Sequence, residues 1–131
     1  MSDNSVVALS EESQPSKALN VTLWILQALA AAAFLMAGAT KLAGAEMQVA
    51  MFEKIGFGQW FRYFTGSLEV ISAILLLVPR TVGIGAALLA ATMAGAVATH
   101  LFIIGGSAAP ALVLLLITAA VAWYRRPESL R

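Results

Sequence analysis

The segment 81–124 contains no lysine, arginine, aspartate or glutamate, and its only ionisable groups are His100 and Tyr124. It is too long for one membrane span, because about 20 residues cross the ~30 Å hydrocarbon core of a bilayer. A second charge-free stretch covers residues 18–40. Hydrophobic residues make up 60% of the chain and charged residues 11%, against roughly 45–50% and ~25% in soluble domains. A soluble core cannot hide this much apolar surface, so the sequence predicts a membrane protein.

Turn and interface signals divide the apolar sequence into four helices. Gly105-Gly106-Ser107, followed by Pro110, is the natural turn within the long apolar segment. Pro79 ends the preceding helix, and Arg80 marks the membrane interface. We therefore predict an all-α, membrane-embedded four-helix bundle in a transmembrane domain at 19–126, with a disordered polar tail at 1–18 and a short tail at 127–131. The four spans are expected at about 19–40, 61–78, 81–104 and 109–124.

The positions of the cations predict the orientation of the bundle. An even number of spans places both termini on one side, and that side carries more lysine and arginine than the other. By the positive-inside rule, both termini are predicted to be cytoplasmic in a multi-pass protein of the cell membrane. The terminal side carries Lys17, Arg80, Arg125, Arg126 and Arg131, and the other side carries Lys41, Lys54 and Arg62.

A short interfacial helix is expected in the loop between the first two spans. Within 45–55, helical spacing separates an apolar side containing Met51 and Ile55 from an acidic side containing Glu46 and Glu53. Gly56 is placed to end this helix.

Glu69 is the residue most in need of an explanation. A carboxylate deep in a span costs at least ~2.5–3.5 kcal/mol on insertion scales, so it normally faces a partner or a cavity. Arg62, Thr65 and Glu69 share one helix face. Lys41 and His100 are expected near the same, outer end of the bundle, and Glu69 is expected deeper in the membrane. Arg62 is expected to bridge the gap between Glu69 and these two residues. One interpretation is an outward-facing polar cavity that binds a ligand through Lys41, Arg62, Thr65, Glu69 and His100. The other is a structural ion pair that only sets helix register.

Small and polar residues elsewhere indicate how the helices pack. Small residues repeat every fourth position in the third span, which favours close helix packing within the bundle, or packing of a homodimer through the same stripe. Gln27 and Thr92 are expected to form interhelical hydrogen bonds. The stripe consists of Gly83, Ala87, Ala91, Gly95 and Thr99.

The composition argues against several chemistries. The chain has no cysteine, which excludes disulfides and cysteine-ligated metal clusters. A b-type haem site usually needs two axial ligands, and there is only one histidine. No metal site, catalytic residue or nucleophile is evident, so we expect no enzymatic activity from the isolated chain. The net charge of +1 carries no signal for nucleic acid.

Two stretches resemble a known family. Residues 34–42 resemble the F-x-x-x-G-x-x-K-L signature that ends the first span of DoxX-like membrane proteins, and they include Gly38 and Lys41. Residues 56–69 resemble the re-entry segment of that family, with its G-x-x-E motif at Gly66 and Glu69. The resemblance extends over about 21–123 and implies a four-helix membrane bundle, with the bacterial inner membrane as the expected location.

The resemblance also implies a link to redox complexes, because the family takes its name from a subunit of a thiosulfate:quinone oxidoreductase. The expected function is therefore a non-catalytic subunit or partner of a quinone-linked membrane redox complex, or a binder of a lipid-like or quinone-like molecule. No cofactor is evident in the residues, and quinone follows from the resemblance alone. The alternative is a small proton-coupled transporter that uses Glu69, since four-span multidrug exporters also carry one membrane carboxylate.

Overall fold

The structure, a computed structural model, describes residues 16–126 and is all-α over that range, as predicted. A short helix separates the first two long ones, also as predicted. The tails expected at 1–18 and 127–131 fall almost wholly outside the described residues. The helices are α1 (Lys17–Ala43), α2 (Glu46–Ile55), α3 (Trp60–Leu76), α4 (Val82–Thr99), which continues into a π-helical turn at His100–Ile104, and α5 (Ala109–Tyr124).

Local capping explains where these helices begin and end. Helix α1 starts at Lys17, inside the expected tail, because the hydroxyl of Ser16 accepts a hydrogen bond from the amide of Leu19 at 3.1 Å. It ends at Gly44, whose φ of 76° is the left-handed conformation that glycine adopts without steric cost. After α3, the hydroxyl of Thr81 donates to the carbonyl of Leu75 at 2.9 Å and closes the turn into α4.

The four long helices form a ring of antiparallel neighbours. Helix α3 packs between α1 and α4, α5 packs mainly on α4, and a smaller contact between α1 and α5 closes the ring. Helix α2 lies across one end, here called the α2 end, and the first and last described residues, 16 and 126, lie at the opposite end. The core contains mainly aliphatic and small side chains: Leu23, Ala30, Ala31, Phe34, Ala73, Leu76, Val82, Ala86, Leu89, Met93, Ala111 and Val121.

Glycines allow two close helix crossings. A Cβ on Gly38 of α1 would lie 2.8 Å from the carbonyl oxygen of Gly66 of α3. A Cβ on Gly85 of α4 would lie 2.8 Å from the carbonyl oxygen of Ser72. Neither helix pair can approach so closely with a larger residue at these positions.

The small-residue stripe predicted on the third span is not the packing face of α4. Ala87, Ala91 and Gly95 are exposed on the bundle surface, and a Cβ on Gly95 would meet nothing within 4 Å. Gly83 does pack closely, against the carbonyl of Arg125. The prediction of packing within the bundle was wrong for these three residues, because α3 packs on Gly85, which lies on another face of α4. The alternative, packing of a homodimer through the stripe, stays a prediction.

Within residues 16–126, two helices are long and apolar enough to cross a membrane: Lys17–Ala43, and α4 together with its π-helical turn, Val82–Ile104. Helix α5 is also apolar but shorter. Only 11% of the most apolar 18-residue stretch of Val82–Ile104 is buried inside the protein. The core helix of a soluble protein would be mostly buried, so the exposed apolar face of α4 fits contact with lipid.

Candidate functional site

A cavity of about 530 Å³ lies at the α2 end of the bundle. Its lining comes from all five helices and is mostly apolar, with a few polar groups on α1, α2, α3 and α4. This volume and this mixture of groups are typical of sites for small organic ligands, which occupy pockets of roughly 300–1,000 Å³. Lys41, Thr65, Glu69 and His100 all line the cavity.

An ion pair joins α1 to α3 at the edge of the cavity. The Nζ atom of Lys41 lies 3.0 Å from Oε1 of Glu69 and 3.4 Å from its Oε2. The side chain of Glu69 is 2% exposed and that of Lys41 is 13% exposed. The crossing of Gly38 over Gly66 makes the pair possible, because it brings Cβ of Lys41 to 2.9 Å from where a Cβ on Gly66 would stand.

Arg62 does not line the cavity, although it shares a helix face with Glu69. Its Nε donates to Oε1 of Gln59 at 2.7 Å, and its Nη1 donates to the backbone carbonyl of Lys41. Its guanidinium lies 4.3 Å from the centroid of the Tyr63 ring. Arg62 therefore does not bridge Lys41 and Glu69 as expected. Lys41 contacts Glu69 directly, and the guanidinium of Arg62 binds the C-terminal turn of α1.

His100 faces the cavity from the first residue of the π-helical turn. Its Nδ1 lies 3.0 Å from the carbonyl oxygen of Gly105. A carbonyl only accepts hydrogen bonds, so Nδ1 is the donor in this contact. Gly105 and the following Gly106 have φ values of 71° and 76°, which lets the chain turn back immediately and makes this contact possible.

Gln48 of α2 is a polar residue of the cavity that the sequence interpretation missed. Its Oε1 atom is buried and has no hydrogen-bond partner among the described residues. Met51 and Ile55, on the predicted apolar side of α2, line the cavity with it. Helical spacing does place Gln48 one turn before Met51 and Phe52, but a glutamine in an amphipathic helix is usually exposed.

A second polar cluster lies at the opposite end of the bundle and does not touch the cavity. Gln27 of α1 is fully buried; its Nε2 donates to the carbonyl of Leu76 at 2.9 Å, and its Oε1 accepts from Nε of Arg125 at 2.9 Å. This confirms the interhelical role predicted for Gln27. Thr92 differs, because its hydroxyl donates to the carbonyl of Leu88 in its own helix.

Residues 16–126 bring no three His, Cys, Asp or Glu side chains close enough together to hold a metal ion. The polar groups at the cavity are one cation, one carboxylate, hydroxyls, an amide and an imidazole. This set can hydrogen-bond a small head group, while the apolar lining accommodates the rest of a molecule.

Comparison with known proteins identifies one family. A family model described as the DoxX-like family matches residues 25–124, which include the four long helices almost entirely and the cavity. No curated protein and no solved structure matches the chain.

Proposed function

This chain is a membrane protein of the DoxX-like family, and we propose that it binds an apolar molecule with a polar head group in the cavity at the α2 end. One observation carries the proposal: a 530 Å³, mainly apolar cavity is bordered by a buried Lys41–Glu69 ion pair. A pair that served only to set helix register would not require a void of this size beside it, since protein interiors are closely packed.

The proposed topology has four spans. The exposed apolar surfaces of α1, α4 and α5 support spanning positions for these helices. Helix α3 belongs with them because it packs between α1 and α4 along the ring. The cation count supports cytoplasmic termini, and the cavity then lies toward the outer face of a cell membrane. The bacterial inner membrane is the location implied by the family resemblance.

A quinone-like or lipid-like ligand fits the chemistry of the cavity. Quinone carbonyls are hydrogen-bond acceptors, and Lys41 and Thr65 offer donors at one end of the apolar lining. The family resemblance adds the proposal that the protein is a non-catalytic subunit or partner of a quinone-linked redox complex. Co-purification of a redox subunit from native membranes would support this role, and a chain that purifies alone from its own organism would count against it.

The binding function is tested by identifying what the purified protein carries. The wild type, extracted in mild detergent, is expected to retain a stoichiometric amount of one lipid or isoprenoid in organic extracts analysed by mass spectrometry. Thr65→Phe places a bulky ring in the cavity beside the ion pair and should lower retention of that molecule. Ser67→Phe is the matched control, because Ser67 is exposed on the same helix and does not line the cavity. Equal retention in all three proteins would refute the proposal.

A proton-coupled carrier is the second candidate, and the position of the Glu69 carboxylate at the cavity supports it. A carrier must also open toward the opposite side, where Gln27 ties α1 to Leu76 and Arg125. Uptake of a lipophilic cation such as ethidium into proteoliposomes with a pH gradient tests this function. A carrier should lose pH-dependent uptake in Glu69→Gln while remaining assembled, whereas a binding protein should show no uptake in either form.

A further inference from the structure

We propose that the cavity is loaded sideways from the bilayer, through an opening between α3 and α4, and that its ligand is a neutral single-chain lipid with a hydroxyl-bearing head. This inference rests on the proposed binding function and adds both the route of entry and the class of ligand. The opening is called the lateral portal, and its rim consists of Phe64, Leu88, Ala91 and Gly95.

The crossing of α3 and α4 creates the space for the portal. The two helices touch near the opposite end of the bundle, where a Cβ on Gly85 would lie 2.8 Å from both the carbonyl oxygen of Ser72 and Cβ of Leu75. Toward the α2 end, the facing segments 61–69 of α3 and 88–100 of α4 both line the cavity. From the contact at Gly85 toward the α2 end, the cavity therefore lies between α3 and α4.

The rim residues both line the cavity and lie on the outer surface of the bundle. Phe64 is 56% exposed and Leu88 is 37% exposed, and Ala91 and Gly95 are also exposed. A residue with both properties lies at an edge of the cavity, and these four lie together between α3 and α4; Pro110, at the start of α5, is also exposed and lines the cavity. All four are apolar or lack a side chain, so the opening suits an acyl chain and not a hydrated solute.

Helix α2 covers the cavity at the end of the bundle. Gln48, Met51 and Phe52 face inward from it. The Nζ atom of Lys54 donates to the carbonyl of Ile104 at 2.8 Å, and Nε2 of Gln59 donates to the carbonyl of Val49 at 3.1 Å. These hydrogen bonds hold α2 to the ends of α4 and α3. With this end covered, the side facing lipid is the direct route inward.

The charges and hydrogen-bonding groups of the cavity indicate the head group. Lys41 and Glu69 are the only lysine, arginine, aspartate or glutamate residues in the lining, and they neutralise each other at 3.0 Å. An anionic or cationic head would have to break that pair or lie buried without a counter-ion, at high cost. Oε1 of Gln48 is a buried acceptor that has no partner among the described residues. This acceptor favours a ligand that donates a hydrogen bond, as a hydroxyl group does.

Photo-crosslinking in phosphatidylcholine liposomes tests both parts of the proposal. The probe is a monoacylglycerol with a diazirine in its acyl chain, and the labelled peptides are mapped by mass spectrometry. Labelling is expected on residues 61–69 and 88–100 and should be prevented by excess monooleoylglycerol, but not by glycerol. Gly95→Trp should lower the labelling on the order of tenfold, because the indole would stand in the portal. Ala94→Trp is the matched control, since Ala94 is exposed on the same helix but does not line the cavity.

Each alternative outcome contradicts a stated part of the proposal. Wild-type labelling of Gly95→Trp, with labelling lost in Thr65→Phe, would refute lateral entry while leaving the binding function intact. Wild-type labelling of Thr65→Phe as well would refute both. Equal labelling by a diazirine-bearing fatty acid would refute the neutral head group. Labelling of the exposed face of α4 alone, with no labelling of residues 61–69, would refute binding in the cavity.

Discussion

Replacing Lys41 with methionine should destabilise the protein more than any other single change at the cavity. The substitution keeps an unbranched side chain but leaves the Glu69 carboxylate, 2% exposed, without the only ion-pair partner found among residues 16–126. Breaking a buried ion pair by removing one partner costs about 3–5 kcal/mol. Lys41 itself is 13% exposed and borders a cavity, so we expect the lower end, about 3 kcal/mol.

Replacing the other partner of the ion pair, Glu69, should lower the free energy of unfolding by less. In Glu69→Gln the amide oxygen can still accept a hydrogen bond from Lys41, and the lysine side chain can extend toward the cavity, so the loss should be about 1–2 kcal/mol. The double variant should be less destabilised than the sum of the two single variants by about 2 kcal/mol, within the range for residues in direct contact.

The free energy of unfolding is measured by SDS titration in mixed micelles, with helicity followed by circular dichroism. Lys17→Met is the matched control, because Lys17 is exposed at the start of α1 and the same chemical change should have little effect there. If the effects of Lys41→Met and Glu69→Gln add to within ~0.5 kcal/mol, the two side chains do not interact and the ion pair is not part of the folded protein.

Three further predictions concern the helix contacts. Gly38→Ala should lower the free energy of unfolding by about 1–3 kcal/mol, because its Cβ would lie 2.6 Å from a methyl group of Val70; Gly95→Ala, in open space, should be neutral or stabilising by up to ~1 kcal/mol in the same SDS titration. Gln27→Leu should cost about 1–3 kcal/mol by removing two buried hydrogen bonds, and a stability equal to the wild type would contradict that role. Lys54→Met should speed hydrogen exchange in α2, because it removes the exposed hydrogen bond to the carbonyl of Ile104. The free energy of opening of α2 should fall by less than about 1.5 kcal/mol. Unchanged exchange would show that this hydrogen bond does not hold α2.

Sequence patterns predicted the helices well because helix signals are local. Gly56 ends α2 as predicted, through its left-handed backbone conformation. Ser16 and Gly44, which the sequence interpretation did not use, set the ends of α1. The alignment of Thr65 and Glu69 on the inward side of α3 followed from helical spacing alone, and both line the cavity.

The packing partners of those helices were harder to predict. The repeat of small residues on α4 was interpreted as a contact face, yet Ala91 and Gly95 lie at the surface and the contact uses Gly85. A small residue permits a close approach but does not require one, so the pattern alone cannot distinguish a packing face from an opening. The direction of Arg62 was missed for a similar reason, since a long flexible side chain can reach several acceptors from one helix face.

The sequence by itself determined the environment of this protein and its all-α class, because long charge-free segments are stable only where apolar side chains avoid water and every backbone group is bonded within its own helix. Tertiary structure alone decided which polar groups meet. The crossing at Gly38 and Gly66 brings Lys41 to Glu69, and the crossing at Gly85 leaves a cavity between α3 and α4. Both depend on contacts between residues far apart in the chain, which no local pattern encodes.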